Sequence, residues 1–213
     1  MKKIAFLIFI IILISTIFVR IKFQEVFNNT YDLIFKNDEI GITFILKNNV
    51  NIILINDEDN ITDLLVLDYE NIDDLKSEIH KFNVPEIRKI YNITPVLIDL
   101  YGKESEEIKK DKNNIIKFSY NKRDFCVYIN ESNTSNRINC DFIYIYKFNK
   151  NATIEFGNKT ELVFQNYNNS LPVRIQEILY QNWIDVYTIN SYEYTTLKIL
   201  KDGFDTIIIP IIK

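Results

Sequence analysis

The side chains most suited to chemistry fall in one short stretch. Asp68, Glu70, Asp73 and Asp74 crowd together around the start of an amphipathic segment. Carboxylates suit hard cations such as Ca²⁺ or Mg²⁺, so one reading is a residual cation site. The other, favoured reading is a solvated loop leading into a helix whose first turn welcomes anions. The spacing does not fit an EF-hand, and Tyr69 stands where a ligand would be needed. Glu104, Glu106 and Glu107 precede Lys109 and Lys110. Paired carboxylates serve glycoside hydrolysis, but local charge pairing at helical spacing accounts for this run. His80 has no G-x-S-x-G or Cys–His signature to work with and reads as a surface residue. Cys126 and Cys140 flank a polar loop. They read as a disulfide if the domain lies outside the cell, and as small buried hydrophobes if it does not. No residue is assigned a catalytic role, and no cofactor is implied.

Scarcity narrows the chemistry further. One histidine cannot build a histidine metal cluster, and two cysteines cannot build a structural zinc site. Four glycines leave none for a Gly-rich phosphate loop, and neither G-x-G-x-x-G nor G-x-x-x-x-G-K-[ST] occurs. The hydrophobic share of 47% is ample for a packed core, so the chain is not a disordered one.

The elements that must position these residues are mostly strands. β-branched and aromatic runs occupy Tyr31–Phe35, Ile40–Leu46, Val50–Ile55, Asp63–Leu67, Ile87–Ile90, Pro95–Leu100, Ile115–Tyr120 and Phe125–Ile129. They continue at Phe142–Tyr146, Thr153–Phe156, Glu161–Phe164, Ile184–Ile189, Tyr194–Leu200 and Thr206–Ile212. Turn signals separate several of them, at Asn48-Asn49, Asn113-Asn114 and Asp202-Gly203. Two segments show helical spacing. Ile72, Leu75, Ile79 and Phe82 form one apolar face, with Asn71 as N-cap and Asp73 and Asp74 in the first turn. Ile175, Ile178 and Leu179 form the other, with Ser170 as cap and Pro172 in the first turn. A weaker helix or turn is expected over Glu104–Lys110. Strand groups with one helix each predict stacked sheets with outer helices. Tyr144, Tyr146, Tyr187, Tyr192 and Tyr194 are expected mainly in the core, and any exposed subset would form a binding surface.

The N-terminus has its own signature. Met1-Lys2-Lys3 precedes an apolar run from Ile4 to Val19, followed by Arg20 and Lys22. The run is about 16 residues, roughly 24 Å as a helix, slightly short of a ~30 Å hydrocarbon core. No A-x-A-like cleavage site follows it, and no cysteine ends it. The expectation is an uncleaved signal anchor over residues 1–24, entering a bacterial membrane through residues 4–19 as a single pass. A cleaved signal peptide and a buried core helix are the alternatives. The soluble part, residues 25–213, is then expected on the extracytoplasmic side. Residues 1–22 carry four basic side chains and no acid, so a chain net charge of −4 leaves −8 on the rest. An acidic domain is a poor match for phosphate backbones, so nucleic acid is not expected as a partner.

One stretch carries a resemblance. Ile40-Gly-Ile-Thr-Phe-Ile-Leu46, Val50-Asn-Ile-Ile-Leu-Ile-Asn56 and Asp63-Leu-Leu-Val-Leu67 before a helix resemble the opening of a metallo-β-lactamase-fold domain. They are most similar to the extracytoplasmic domain of ComEC-type competence proteins. Asn113–Asn130 resembles that family's hairpin ending in T-G-D, and Cys140–Lys150 the strand ending in a double histidine. Ser170–Leu200 resembles its late helix, strand and final hairpin. The resemblance implies an α/β fold, a four-layer αββα sandwich of two mixed sheets with outer helices, preceded by a transmembrane helix. It also implies metal ligands that this chain lacks. Tyr69-Glu70-Asn71-Ile72-Asp73-Asp74 stands where H-x-H-x-D-H belongs, and only Asp73 matches. The bridging aspartate falls on Asn130, the double histidine near Lys147-Phe148, and the last histidine near Leu171 beside Pro172. The implied protein is a catalytically silent accessory or binding module with a protein partner. An active metal-dependent hydrolase or nuclease, and an unrelated secreted β-rich surface protein, are the two alternatives.

Overall fold

The computed structural model describes residues 40–210 except 48–49, 57–60, 69–71, 81–83, 85, 94–98, 121, 192 and 201. Three strands open it: β1 (Ile40–Lys47), β2 (Val50–Asn56) and β3 (Ile61–Asp68). Helix α1 (Ile72–His80) leads to β4 (Glu86–Asn92) and β5 (Ser105–Glu107). Next come β6 (Ile115–Tyr120), β7 (Arg123–Asn130), β8 (Asn136–Ile138), β9 (Phe142–Phe148), β10 (Ile154–Phe156) and β11 (Leu162–Asn166). A 3₁₀ turn at Tyr167–Asn169 and helix α2 (Val173–Gln181) precede β12 (Asp185–Ile189), β13 (Glu193–Leu200) and β14 (Gly203–Pro210).

The strands form a seven-stranded sheet ordered β14-β13-β1-β2-β3-β4-β5 and a five-stranded sheet ordered β12-β11-β9-β7-β6. Both are mixed. In the first, β3, β4 and β5 run parallel and the other pairs antiparallel. In the second, β12, β11, β9 and β7 run parallel and β6 closes antiparallel. β8 and β10 add a small parallel pair.

Side-chain alternation decides how the sheets stack. Ile42 and Phe44 of β1, Ile53 and Ile55 of β2 and Leu65 and Leu67 of β3 point into one core. They meet Phe125 and Val127 of β7, Phe142 and Tyr144 of β9 and Phe164 of β11 there. Phe44 sits at the centre, with ring centroids 4.7 Å from Phe164, 5.1 Å from Tyr144 and 5.9 Å from Phe125. The opposite face of the large sheet, with Ile52, Leu54, Leu64 and Val66, is covered by Leu75 and Ile79 of α1. The opposite face of the small sheet, with Ile143, Ile145 and Val163, is covered by Ile175 and Leu179 of α2. Packing therefore runs helix, sheet, sheet, helix. Strands buried on both faces need unbroken apolar runs, which is why β2 and β3 read Ile-Ile-Leu-Ile and Leu-Leu-Val-Leu.

Several local expectations change. The segment expected as a helix or turn over Glu104–Lys110 contains strand β5, parallel to β4. Lys89 and Glu106 pair across that edge at 3.8 Å, and the Ile108 amide bonds the Asn92 carbonyl. The alternating charges that imitate a helix surface also suit a short, solvated edge strand. Ser170 does not cap α2; it closes the 3₁₀ turn, whose first amide-side cap is the Asn166 side chain on the Asn168 amide. Helix α2 starts from Pro172, whose carbonyl takes the amides of Ile175 and Gln176. Strand β8 has no apolar run to announce it and was not expected. Tyr31–Phe35, Asn71 and the apolar run of residues 4–19 lie outside the described residues. Among the described residues, no helix is long and apolar enough to cross a membrane.

The central position of Phe44 sets an expected cost. Phe44→Ala empties a site against three aromatic rings, and should lower unfolding free energy by about 3–5 kcal/mol. Urea denaturation followed by circular dichroism measures it, and a loss below about 1 kcal/mol would contradict this packing.

Candidate functional site

The parallel strands β7, β9 and β11 end at the same side of the sandwich as β3. Open α/β sheets place ligands outside such carboxyl ends, so this mouth is the natural site. Asp68, the last residue of β3, is exposed there. Its Oδ2 accepts a hydrogen bond from the Tyr146 hydroxyl of β9 at 3.1 Å, which also lies 3.4 Å from the Leu67 carbonyl. The bond ties one sheet to the other. Burial, and then the Asp68 charge, push the Tyr146 phenol well above its ordinary range, so it remains a donor. Deeper on the same strand, the Tyr144 hydroxyl donates to Asn51 Oδ1 of β2 at 3.1 Å. Burial raises its pKa as well.

Asn130 ends β7 and is fully buried. Its Nδ2 donates to the Tyr128 hydroxyl at 2.9 Å and to the Thr134 carbonyl at 3.3 Å. Its Oδ1 accepts from the Ser132 amide at 2.9 Å and the Ser132 hydroxyl at 2.8 Å. An amide is needed here, because a carboxylate could accept both bonds but donate neither. Lys147 pairs with Glu131 at 3.1 Å, with its ammonium 5.3 Å from the Tyr146 ring centroid. Phe148 and Leu171 are core residues beneath α2.

The carboxylates singled out from the sequence do not converge as a set. Asp68 engages Tyr146, Asp73 and Asp74 are exposed in the first turn of α1, and Glu70 lies outside the described residues. Among the described residues, no three histidine, cysteine or carboxylate side chains gather as a metal-binding group. His80 ends α1 on the surface, edge-on to Tyr101 at 5.5 Å. Cys126 of β7 and Cys140 are joined by a disulfide, Cα to Cα 6.2 Å, inside the cluster beneath α2. Tyr144, Tyr146 and Tyr194 are buried and Tyr187 partly so, while Tyr192 is not described. Among the described residues, the exposed large aromatic side chains are Tyr101, Tyr167, Tyr180 and Trp183 instead.

A charge network at the opposite end was not anticipated. Asp124 accepts from Ser119 at 2.7 Å and pairs with Lys117 at 2.9 Å and closely with Lys159. Asp141 accepts the Asp124 amide at 2.7 Å and pairs with Lys159 at 3.1 Å. Arg123 reaches Glu161 at 2.5 Å and lies over the Phe142 ring at 4.7 Å. Each acid sits at or just before the start of β7, β9 or β11. That alignment was the available signal, and it needs the strand order to be seen. With charges of both signs paired, the network reads as a structural clasp.

The chain matches no family model, no curated protein and no solved structure.

The clasp predicts acid sensitivity. Burial alone pushes Asp124 up, but hydrogen bonds from Lys159, Lys117 and Ser119 outweigh it and bring the pKa down to about 2. A carboxyl depressed on folding stabilises above its unfolded pKa and loses that contribution as pH falls from about 4 to about 2. Asp124→Asn should flatten the fall in urea midpoint between pH 5 and pH 2.5. The difference should be on the order of 1 kcal/mol once solvent screening is allowed for. Parallel curves for wild type and variant would contradict the clasp.

Proposed function

We propose that this chain is a binding or accessory module on a metallo-β-lactamase-like scaffold, without hydrolase chemistry. It is held outside a bacterial cell membrane by residues 4–19, and it works through a protein partner. The observation that carries the reading is the hydrogen bonding at the carboxyl ends of the parallel strands. Tyr146 bonds Asp68 where metal ligands would converge, and Asn130 spends both ends of its amide on Tyr128, Thr134 and Ser132. A bridging carboxylate would have to displace that network. Lys147, paired with Glu131, supplies an ammonium and no metal-binding imidazole there.

Two further observations support the setting. A disulfide between Cys126 and Cys140 fits an oxidising compartment. The excess of acid outside residues 1–22 disfavours a nucleic acid partner and leaves a protein as the macromolecule of choice.

Calorimetric titration with Ca²⁺, Mg²⁺, Mn²⁺ and Zn²⁺ tests the reading. No micromolar binding is expected for the wild type. Asn130→Asp should gain none and should lose about 1–3 kcal/mol of stability, because two donors disappear from a buried network. Micromolar binding abolished by Asp73→Ala, or two tightly held equivalents of zinc or manganese, would overturn it in favour of a metal-dependent hydrolase.

A further inference from the structure

Trp183 is the chain's one tryptophan, and 92% of it is exposed. Tyr180, 82% exposed, precedes it in the last turn of α2, and exposed Val186 follows on edge strand β12. Trp183 also has a left-handed backbone, at φ 57°. Its amide bonds the Tyr180 carbonyl at 3.1 Å, and the next amide, of Ile184, bonds Leu179 at 3.0 Å. This is the position just past a helix where glycine is usual and a bulky side chain is strained. Strain of this kind persists where a function rewards it. An indole so exposed recovers little of that cost by packing within the chain.

Strand register locates this patch. Ile40, where the described chain begins, pairs with Ile199, which pairs with Phe204. The Phe204 ring lies 5.2 Å from Phe142, which aligns with Leu162 and through it with Asp185. Trp183, two residues before Asp185, is therefore at the end of the sandwich from which the N-terminal segment leaves. Asp68 and Asn130, which end β3 and β7, are at the other end.

We propose that Trp183, with Tyr180 and Val186, rests in the interfacial layer of the bilayer that residues 4–19 enter. This rests on the anchor reading and adds a second contact to it. Tryptophan and tyrosine favour the headgroup level, where an apolar ring and a polar N–H or O–H are both satisfied. Twenty residues, 20–39, separate the apolar run from Ile40, and a chain of that length reaches at most about 70 Å. So short a tether keeps this end at high effective concentration beside the membrane, where a few side chains suffice. The basic side chains described at this end, Lys117, Arg123 and Lys159, are paired with Asp124, Asp141 and Glu161. Glu177 and Asp185 flank the patch, and Arg174 is committed to the carbonyls of Lys150 and Ala152. The contact is therefore aromatic in origin and independent of anionic lipid.

The sole tryptophan reports on itself. The full chain is reconstituted into phosphatidylcholine vesicles, with and without bromine on the upper acyl carbons. The chain should float with the vesicles, show blue-shifted emission, and lose more than half its intensity to the brominated lipid. Added phosphatidylglycerol or high salt should leave this unchanged. Tyr180→Ser, a change at an exposed position, should keep the circular dichroism spectrum and weaken the quenching. Flotation with water-like emission and no quenching would overturn the inference while leaving the anchor standing, and would free the patch for a protein. A chain that does not float would overturn both.

Discussion

The structure depends on one demand: the central strands must be dry on both faces. Ile53 of β2 faces the other sheet while Ile52 and Leu54 face α1. Tyr144 of β9 faces the first sheet while Ile143 and Ile145 face α2. Neither sheet can meet this alone. The sheets cover each other's inner faces around Phe44, and one helix covers each outer face. Polar groups caught inside must then bond each other. Thr43 and Thr196 pair their hydroxyls at 2.9 Å, and Thr62 donates to Asn56 at 3.1 Å. Arg88 clamps the nearly buried Asp63 with two bonds, at 2.9 Å and 2.7 Å, between neighbouring strands β3 and β4.

The sandwich is finished differently at its two ends. The amino end of the parallel strands carries paired ions, which tolerate solvent and are sensitive to acid. The carboxyl end is closed by hydrogen bonds from Tyr144 to Asn51, from Tyr146 to the Asp68 carboxylate and around the Asn130 amide. In a scaffold of this architecture the carboxyl end is where chemistry is usually built. Here its polar groups already satisfy one another. Among the described residues the largest exposed aromatic side chain, Trp183, lies at the amino end.

Much of this was legible in the sequence, for physical reasons. The β-branched runs at β1, β2 and β3 are long because both faces are buried, and long runs are easy to see. The two helices show through Leu75 and Ile79, and through Ile175 and Leu179, at helical spacing. Around β5, Glu104 to Lys110 places opposite charges three and four residues apart and so suggests a helix or turn, while its strand pairing depends on β4. β8, Asn136-Arg137-Ile138, has a single large apolar residue, and its partner β10 lies well along the chain. The Asp124 clasp joins residues from four separate segments, so no local pattern reveals it. The resemblance sets Asn130 and Lys147 at positions where it implies metal ligands. The Asn130 partners Ser132 and Thr134 are near in sequence, but side chains of this kind bond in many turns, and the Lys147 partner Glu131 follows the end of the neighbouring strand β7, so only the fold selects them.

The central claim is that polar side chains, not metal ions, close the mouth between the sheets. Anomalous diffraction from crystals grown with excess Mn²⁺ and Zn²⁺ tests it most directly. The account predicts no anomalous peak near Asp68, Asn130 and Lys147, with the Tyr146 hydroxyl still bonded to Asp68. Two peaks about 3.5–4 Å apart at that position, the spacing of a dinuclear hydrolytic centre, would contradict it.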